Sequence, residues 1–199
     1  MTTDLHRHPH FISLEGGEGA GKTTALNAIR QALEAHGHSV LLTREPGGTP
    51  LAERIRALVL TPDAEIAAEP LSAEAELLLV FAGRAQHVRQ VVQPALAEGT
   101  YVLSDRFTDS SYAYQGGGRG LDPAFIAELE RRTVGLQPGL PGVLAVVDVG
   151  QTLEAHRQAF PHGRLAREAL APRIRSARHV QRAIVGEELH DGVQVVRVE

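Results

Sequence analysis

The hydrophobic positions of the chain follow two different spacings, which alternate along the sequence. Short, nearly continuous apolar runs are typical of buried strands. These predicted strands are residues 10–14, 39–43, 100–104, 143–149 and 193–198. Between them, apolar residues recur every three or four positions, as on one face of a helix. The predicted helices are residues 24–33, 51–60, 72–97 and 122–134.

The alternation of strands and helices predicts an α/β fold, in which a mostly parallel β-sheet is flanked by helices on both faces. The sequence contains no internal repeat and no linker that would divide it. We therefore expect a single domain over residues 1–199, with residues 1–9 as a flexible tail. Open parallel sheets bind ligands at the carboxyl ends of their strands, so the segments after the strands are the first places to look for function.

Composition and charge narrow the class of protein. The 199 residues can bury a sizeable core in one domain, and the absence of cysteine excludes disulfides. No apolar run approaches the ~20 residues that cross a bilayer, and the first residues lack the apolar centre of a signal peptide. We therefore expect a cytoplasmic protein without a membrane partner. The formal net charge of −4 argues against a nucleic-acid partner, since such binding depends on neutralising many phosphates.

The segment after the first predicted strand matches the phosphate-loop pattern G-x-x-x-x-G-K-[ST], from Gly16 to Thr23. Lys22 of this loop is the single lysine of the chain. In such a loop the backbone N–H groups surround the phosphates, the lysine ammonium neutralises their charge, and the Thr23 hydroxyl reaches Mg²⁺. The candidate nucleotide-binding residues are Gly16, Gly17, Glu18, Gly19, Ala20, Gly21, Lys22, Thr23 and Thr24.

The loop by itself does not name a reaction, because GTPases, ATPases, kinases and sulfotransferases share it. A guanine-specific GTPase of the usual kind needs a second lysine in an Asn-Lys-x-Asp motif, and this chain has none. Two further segments follow predicted strands: residues 43–56, which begin Thr-Arg-Glu-Pro-Gly-Gly-Thr, and residues 103–120, which contain Asp-Arg-Phe. Both lie where a ligand is expected.

These two segments, together with Glu18 and residues 81–87, closely resemble the thymidylate kinase family. The resemblance extends over about residues 10–150 and implies a P-loop NTP hydrolase-like fold with a short lid. It also implies ATP-dependent, Mg²⁺-dependent phosphorylation of dTMP to dTDP by a homodimer. A kinase of another monophosphate or of a nucleoside is less consistent with the Arg-Glu-Pro-Gly-Gly-Thr and Asp-Arg-Phe segments.

The resemblance also implies roles for individual residues. Lys22 and Thr23 would serve the ATP phosphates and Mg²⁺, with Asp105 acting on Mg²⁺ through water. Glu18 would lie near the acceptor phosphate and the sugar 3′-hydroxyl. The residues implied in dTMP binding are Arg56 and Arg106 for the phosphate, and Pro46, Leu58, Phe81, Arg84, Ser111 and Gln115 for thymine. Arg106 also directly follows a predicted buried strand and a carboxylate, a position that favours function over a surface role.

The chain departs from the family pattern at three places. Val80 stands where an aromatic residue usually stacks on thymine, and Phe81 follows it, about 100° further round the helix. Gly19 in the phosphate loop implies lid arginines over ATP, but the expected lid, about residues 157–170, is short and lacks the family's Asp-Arg-x-Glu signature. Its candidates by charge and place are Arg157, Arg164 and Arg167, of which Arg164 is the catalytic candidate. The chain also stops at Glu199, just past the last predicted strand. The alternative hypothesis is therefore a nucleotide-binding relative with weak or no kinase activity.

Overall fold

A computed structural model describes residues 6–17 and 21–138 of the chain. Several predictions lie outside these residues: the strands at 143–149 and 193–198, the lid at about 157–170 with Arg164, and Glu18, Gly19 and Ala20 of the phosphate loop. Every strand and helix predicted from periodicity within the described ranges is present, with bounds that differ mostly by one or two residues.

Five strands are present among the described residues: β1 (His6–His8), β2 (Phe11–Leu14), β3 (Val40–Arg44), β4 (Tyr101–Asp105) and β5 (Leu136–Pro138). The central sheet has the order β2-β4-β3, and both of its pairings are parallel. Leu14 pairs with Asp105, and Asp105 pairs with Arg44, so the three strands end at the same edge. This register brings the segments that follow the strands together.

Seven α-helices are present in the described part of the chain. They are α1 (Lys22–Ala35), α2 (Pro50–Leu60), α3 (Ala64–Ala68), α4 (Ala73–His87), α5 (Gln93–Ala97), α6 (Thr108–Ser111) and α7 (Pro123–Leu129). Polar side chains cap three of the longer ones: Thr49 accepts from Ala52 N at 3.1 Å, and Ser72 and Asp122 cap α4 and α7 in the same way. No helix in these residues is long and apolar enough to cross a bilayer.

Helices cover both faces of the central sheet, as predicted. Alternate strand residues point to opposite faces. Ile12 and Leu103 pack with Leu26 and Leu33 of α1 on one face. The other face holds a larger cluster of buried apolar side chains from α4, α5 and α7, packed on Phe11 and Val102. Burial of each such side chain contributes about 1.5–3 kcal/mol to folding, so the two clusters fix the sheet between its helices.

The predicted helix over 72–97 is helical from residue 73 to residue 97 but changes its winding. Between α4 and α5, the segment Val88–Val92 is π-helical, and Pro94 lies in the first turn of α5. Proline has no N–H to donate and its ring crowds the carbonyl four residues earlier, so a regular α-helix is disfavoured at this point. The wider turn accommodates the ring, and Val88 and Val92 remain buried in the core.

Two further π-helical segments follow α6 and α7, at Tyr112–Gly118 and Glu130–Val134. Periodicity does not predict the first of these, because its glycine-rich sequence also fits a turn. The short strands β1 and β5 are likewise not predicted. His6 pairs with Leu136 in a two-stranded parallel sheet, so the tail expected over residues 1–9 is ordered at His6–His8 by a distant partner.

Candidate active site

Lys22 is the first residue of α1 and the lysine of the phosphate-loop pattern. The N-cap residue before it, Gly21, has φ +80°, a left-handed conformation that favours glycine. The Lys22 ammonium donates to the Gly16 carbonyl at 3.0 Å and to the Gly17 carbonyl at 2.8 Å. Its side chain is almost fully buried. The sequence therefore places the only ammonium of a lysine side chain inside the loop, at the N-terminus of a helix, where anions are stabilised.

Asp105 ends β4 opposite this lysine. Its Oδ1 lies 4.0 Å from the Lys22 Nζ and, although buried, has no hydrogen-bond partner among the described residues. A buried carboxylate oxygen without a hydrogen bond is costly unless a cation occupies its neighbourhood. Thr23 adds an exposed hydroxyl in the first turn of α1. Oxygen donors of these kinds suit Mg²⁺, which keeps several waters and substrate phosphates as further ligands.

In the described ranges, no group of three or more histidine, cysteine or acidic side chains could hold a metal on its own. A Mg²⁺ ion bound through one carboxylate, one hydroxyl, water and nucleotide phosphates does not require such a group. The residues present therefore fit a magnesium-nucleotide complex and do not resemble an independent metal site.

Arg106 has an unusual backbone. Its φ of +73° makes it the only non-glycine residue with positive φ in the described ranges. This conformation costs of order 1–3 kcal/mol and persists only where surrounding contacts hold it. Arg106 N donates to the Leu14 carbonyl at 2.8 Å, and the Ser104 hydroxyl donates to the Arg106 carbonyl at 2.7 Å. The guanidinium lies 5.3 Å from the centre of the Tyr114 ring. The fold thus holds this arginine in a strained position directly after β4.

Glu15, which sequence reasoning did not select, supports the Arg106 turn. Its carboxyl accepts from Phe107 N at 2.6 Å and from the Ser110 hydroxyl at 2.5 Å. Burial, together with the nearby Asp109 carboxylate, raises the pKa of Glu15 to about 8, against the lowering effect of the two hydrogen bonds and Arg106. The sequence did contain a signal for Glu15, because this acidic residue lies between an apolar strand and the phosphate loop. A side chain at such a position is seldom exposed to solvent.

Arg84 of α4 lies at the centre of a buried polar group. Its Nε donates to Glu45 Oε2 at 2.5 Å, and its terminal nitrogens donate to the Ser111 hydroxyl at 3.1 Å and the Phe107 carbonyl at 3.2 Å. The guanidinium carbon lies 4.6 Å from the centre of the Phe81 ring. Two of the predicted thymine-binding residues, Arg84 and Ser111, are therefore in direct contact.

Other predicted substrate residues occupy different environments. Arg56 of α2 donates to the Pro46 carbonyl at 2.9 Å, which joins the predicted phosphate contact to the loop after β3. Gln115 is buried and donates to Glu76 Oε1 at 2.9 Å; Arg119 donates to the other oxygen of Glu76. Leu58 lies on the outer part of α2 and is 39% exposed.

The aromatic residue predicted near thymine lies inside the core. Phe81 is 2% exposed and packs beneath Arg84, in the cluster that includes Phe11 and Phe107. Its ring supports the guanidinium, and the neighbouring Val80 is also buried. The aromatic residue stands at Phe81, one position after Val80, and this offset places its ring under the Arg84 guanidinium. The attraction of a cation for an aromatic face makes this contact worth about 0.5–2 kcal/mol.

The phosphate loop, the parallel sheet and the arginines at its carboxyl edge define a P-loop phosphotransferase of the nucleoside monophosphate kinase class. A family model described as thymidylate kinase matches residues 14–171. The chain belongs to the thymidylate kinase family.

Individual relatives agree with this assignment. The thymidylate kinase of Ectopseudomonas mendocina is 50% identical over 176 residues, which are 87% of this chain and 81% of the relative. That of Pseudomonas putida strain GB-1 is 51% identical over 175 residues, with the same two coverages. Among solved structures, the crystal structure of thymidylate kinase from Ehrlichia chaffeensis aligns with a TM-score of 0.57 and 38% identity, covering 66% of this chain and 71% of that one.

Proposed function

We propose that this chain transfers the γ-phosphoryl group of ATP to the phosphate of dTMP, giving dTDP and ADP. The observation that carries the proposal is the convergence of Lys22, Asp105 and Arg106 at the edge where β2 and β4 end, next to the buried Arg84 group. Membership of the thymidylate kinase family and about 50% identity to enzymes of that name support catalysis and do not favour the non-catalytic alternative.

The donor side of the site is the phosphate loop. Backbone N–H groups of residues 16–24 and the N-terminus of α1 would hold the ATP phosphates, with the Lys22 ammonium on the β- and γ-phosphate oxygens. Thr23 and Asp105 would hold Mg²⁺, which when bound neutralises the charge on those oxygens. Lys22 now donates to two loop carbonyls, so phosphate oxygens would replace these acceptors on binding.

The acceptor side lies between the segments that follow β3 and β4. Arg106 and Arg56 would grip the dTMP phosphate, since a guanidinium binds phosphate oxygens through two parallel N–H groups. Arg84, Ser111 and Gln115 would face the thymine edge, with Pro46 and Leu58 along its plane and Phe81 behind Arg84.

The reaction asks little of the protein beyond positioning. The acceptor oxygen of the monophosphate is largely ionised near neutral pH, because a phosphate monoester has a second pKa near 6, so no general base is needed. The bond from the γ-phosphorus to the bridging oxygen of ADP breaks as the bond to the dTMP oxygen forms, and ADP leaves with the electron pair. In-line alignment and neutralisation of the transferred group are the main contributions.

Other parts of the proposal rest on the family resemblance alone. Glu18 would lie near the acceptor phosphate and the 3′-hydroxyl, and Arg164 of the lid would stabilise the transferred phosphoryl group. We also propose a homodimer and a cytoplasmic location. Discrimination against dUMP depends on one methyl group, worth about 1–3 kcal/mol in an apolar pocket, so we expect it to be modest.

The direct test is ADP release by the purified chain with ATP and Mg²⁺, using dTMP, dUMP, dCMP, dGMP and AMP at equal concentration. We expect the fastest turnover with dTMP, slower turnover with dUMP and little with the others. Calorimetric binding of dTMP without turnover of any acceptor would contradict the proposed kinase activity and favour the binding relative. Preference for another monophosphate would contradict the proposed acceptor.

A further inference from the structure

His87 lies at the end of α4, one helical turn beyond Arg84, and is fully buried. Its Nδ1 lies 2.9 Å from Glu45 Oε1, and its Nε2 lies 2.7 Å from the Thr43 hydroxyl. A carboxylate only accepts hydrogen bonds, so Nδ1 carries the proton toward Glu45. Neither resemblance nor the reaction described above assigns a role to this histidine or to Glu45.

Glu45 connects His87 to Arg84. One of its oxygens accepts from His87 Nδ1 and the other from Arg84 Nε, and the Glu45 side chain is 2% exposed. The carboxylate therefore has no freedom to rotate without breaking one of the two bonds. A buried ion pair of this kind is retained only where its geometry is complete, because a charge left without its partner is costly to bury.

The same histidine is also packed against the loop that carries Pro46. Gly48 has φ +84°, and a Cβ placed on it would lie 2.4 Å from Cδ2 of the His87 ring. Only glycine permits this approach, and the loop backbone consequently lies directly on the imidazole. His87 thus contacts β3 through Thr43, the following loop through Gly48 and the arginine group through Glu45.

We infer that Glu45 and His87 are positioning residues for the acceptor nucleotide, which fix the Arg84 guanidinium relative to the loop that carries Pro46. Among the described residues, Arg84 donates three of its five N–H groups, to Glu45, Ser111 and Phe107, and we assign the other two to the ligand. The direction of those two depends on the rotation of the guanidinium plane, and the Nε bond to Glu45 sets that rotation. This inference rests on the proposed function, since it assigns Arg84 to the acceptor base.

Two amide substitutions separate the two bonds of His87. In His87→Asn the amide nitrogen takes the place of Nδ1 and can still donate to Glu45. In His87→Gln the amide takes the place of Nε2 and keeps only the bond to Thr43. Thr43→Val removes that second bond with little change of shape. His36→Gln is the matched control, because His36 is exposed on the far end of α1.

The measurement is calorimetric binding of dTMP and, separately, of ADP to each variant, with KM and kcat for dTMP where turnover is present. We expect His87→Gln to weaken dTMP binding about tenfold, near the lower end of the effect of losing a hydrogen bond to a charged group. ADP binding should remain within about twofold. His87→Asn, Thr43→Val and His36→Gln should each bind dTMP within about threefold of the wild type.

A double-mutant cycle with Arg84→Met tests whether the effect passes through the arginine. If the effect of His87→Gln depends on Arg84, adding His87→Gln to the Arg84→Met variant should change dTMP binding little. Equal losses in His87→Gln and His87→Asn, a parallel loss of ADP binding, or additive effects in the cycle would overturn the inference. Failure of the wild-type chain to phosphorylate dTMP would contradict the proposed function instead, and the binding ratios among variants would still decide this inference.

Discussion

The strained backbone of Arg106 allows its conformational and chemical roles to be measured separately. At φ +73°, an ordinary residue is less stable than glycine by about 1–2 kcal/mol, because Cβ crowds the following carbonyl. Glycine gains freedom in the unfolded chain, which offsets about 0.5–1 kcal/mol of this difference. We therefore expect Arg106→Gly to be more stable than Arg106→Ala by about 0.5–1 kcal/mol.

Both variants lose the guanidinium, so both should lose the same dTMP affinity. A charge-assisted hydrogen bond is worth about 1.5–3 kcal/mol, which corresponds to roughly ten- to a hundredfold weaker binding. ATP affinity should change far less, because Lys22 and the phosphate loop remain intact. The alanine variant is the matched control for the glycine variant, since neither carries a side chain that can reach the substrate.

Thermal unfolding and calorimetry check these expectations. For a chain of this size, the stability difference corresponds to about 1–4 °C in Tm between the two variants. An alanine variant as stable as the glycine variant would show that the left-handed backbone is not strained. Unchanged dTMP affinity in both would remove Arg106 from the phosphate grip, whatever the stability result.

Three further predictions follow from the site. Lys22→Ala should abolish turnover while dTMP binding stays within about threefold by calorimetry, and loss of dTMP binding would contradict the division into donor and acceptor sides. Gly48→Ala should destabilise the fold by about 1–3 kcal/mol in thermal unfolding, because the added carbon overlaps His87; a neutral result would place the loop further from the imidazole. The pKa of Glu15, raised from 4.5 to about 8, means that the folded chain holds a proton that the unfolded chain releases. Stability should therefore fall as pH rises from about 4.5 to 8, and Glu15→Gln should flatten this dependence; identical pH profiles would contradict it.

Local sequence signals identified the elements that form the central sheet. The apolar runs at β2 and β4 are short and continuous because helices bury these strands, whereas β3 has the same kind of run although its Leu42 is 38% exposed. Periodicity could not identify β1 or β5, since each is three residues long and is ordered by the other. It also could not separate a helix from a turn at Tyr112–Gly118, where three glycines weaken the pattern.

The residues of the candidate site can also be divided into those that the sequence identified and those that depend on distant contacts. The sequence by itself determined the phosphate loop, because Gly16 to Thr23 lies in one stretch whose chemistry depends on backbone N–H groups and a single lysine. It also selected Arg84, Arg106 and Ser111 through resemblance. Only the tertiary structure decided that Glu45 and His87 join Arg84, that Glu15 holds the Arg106 turn, and that Phe81 packs beneath the guanidinium. These contacts join residues up to 95 positions apart. The physical reason is that a buried polar side chain needs a hydrogen-bond partner, and here that partner is distant in sequence. The parallel register of the three strands brings those partners to one edge of the central sheet.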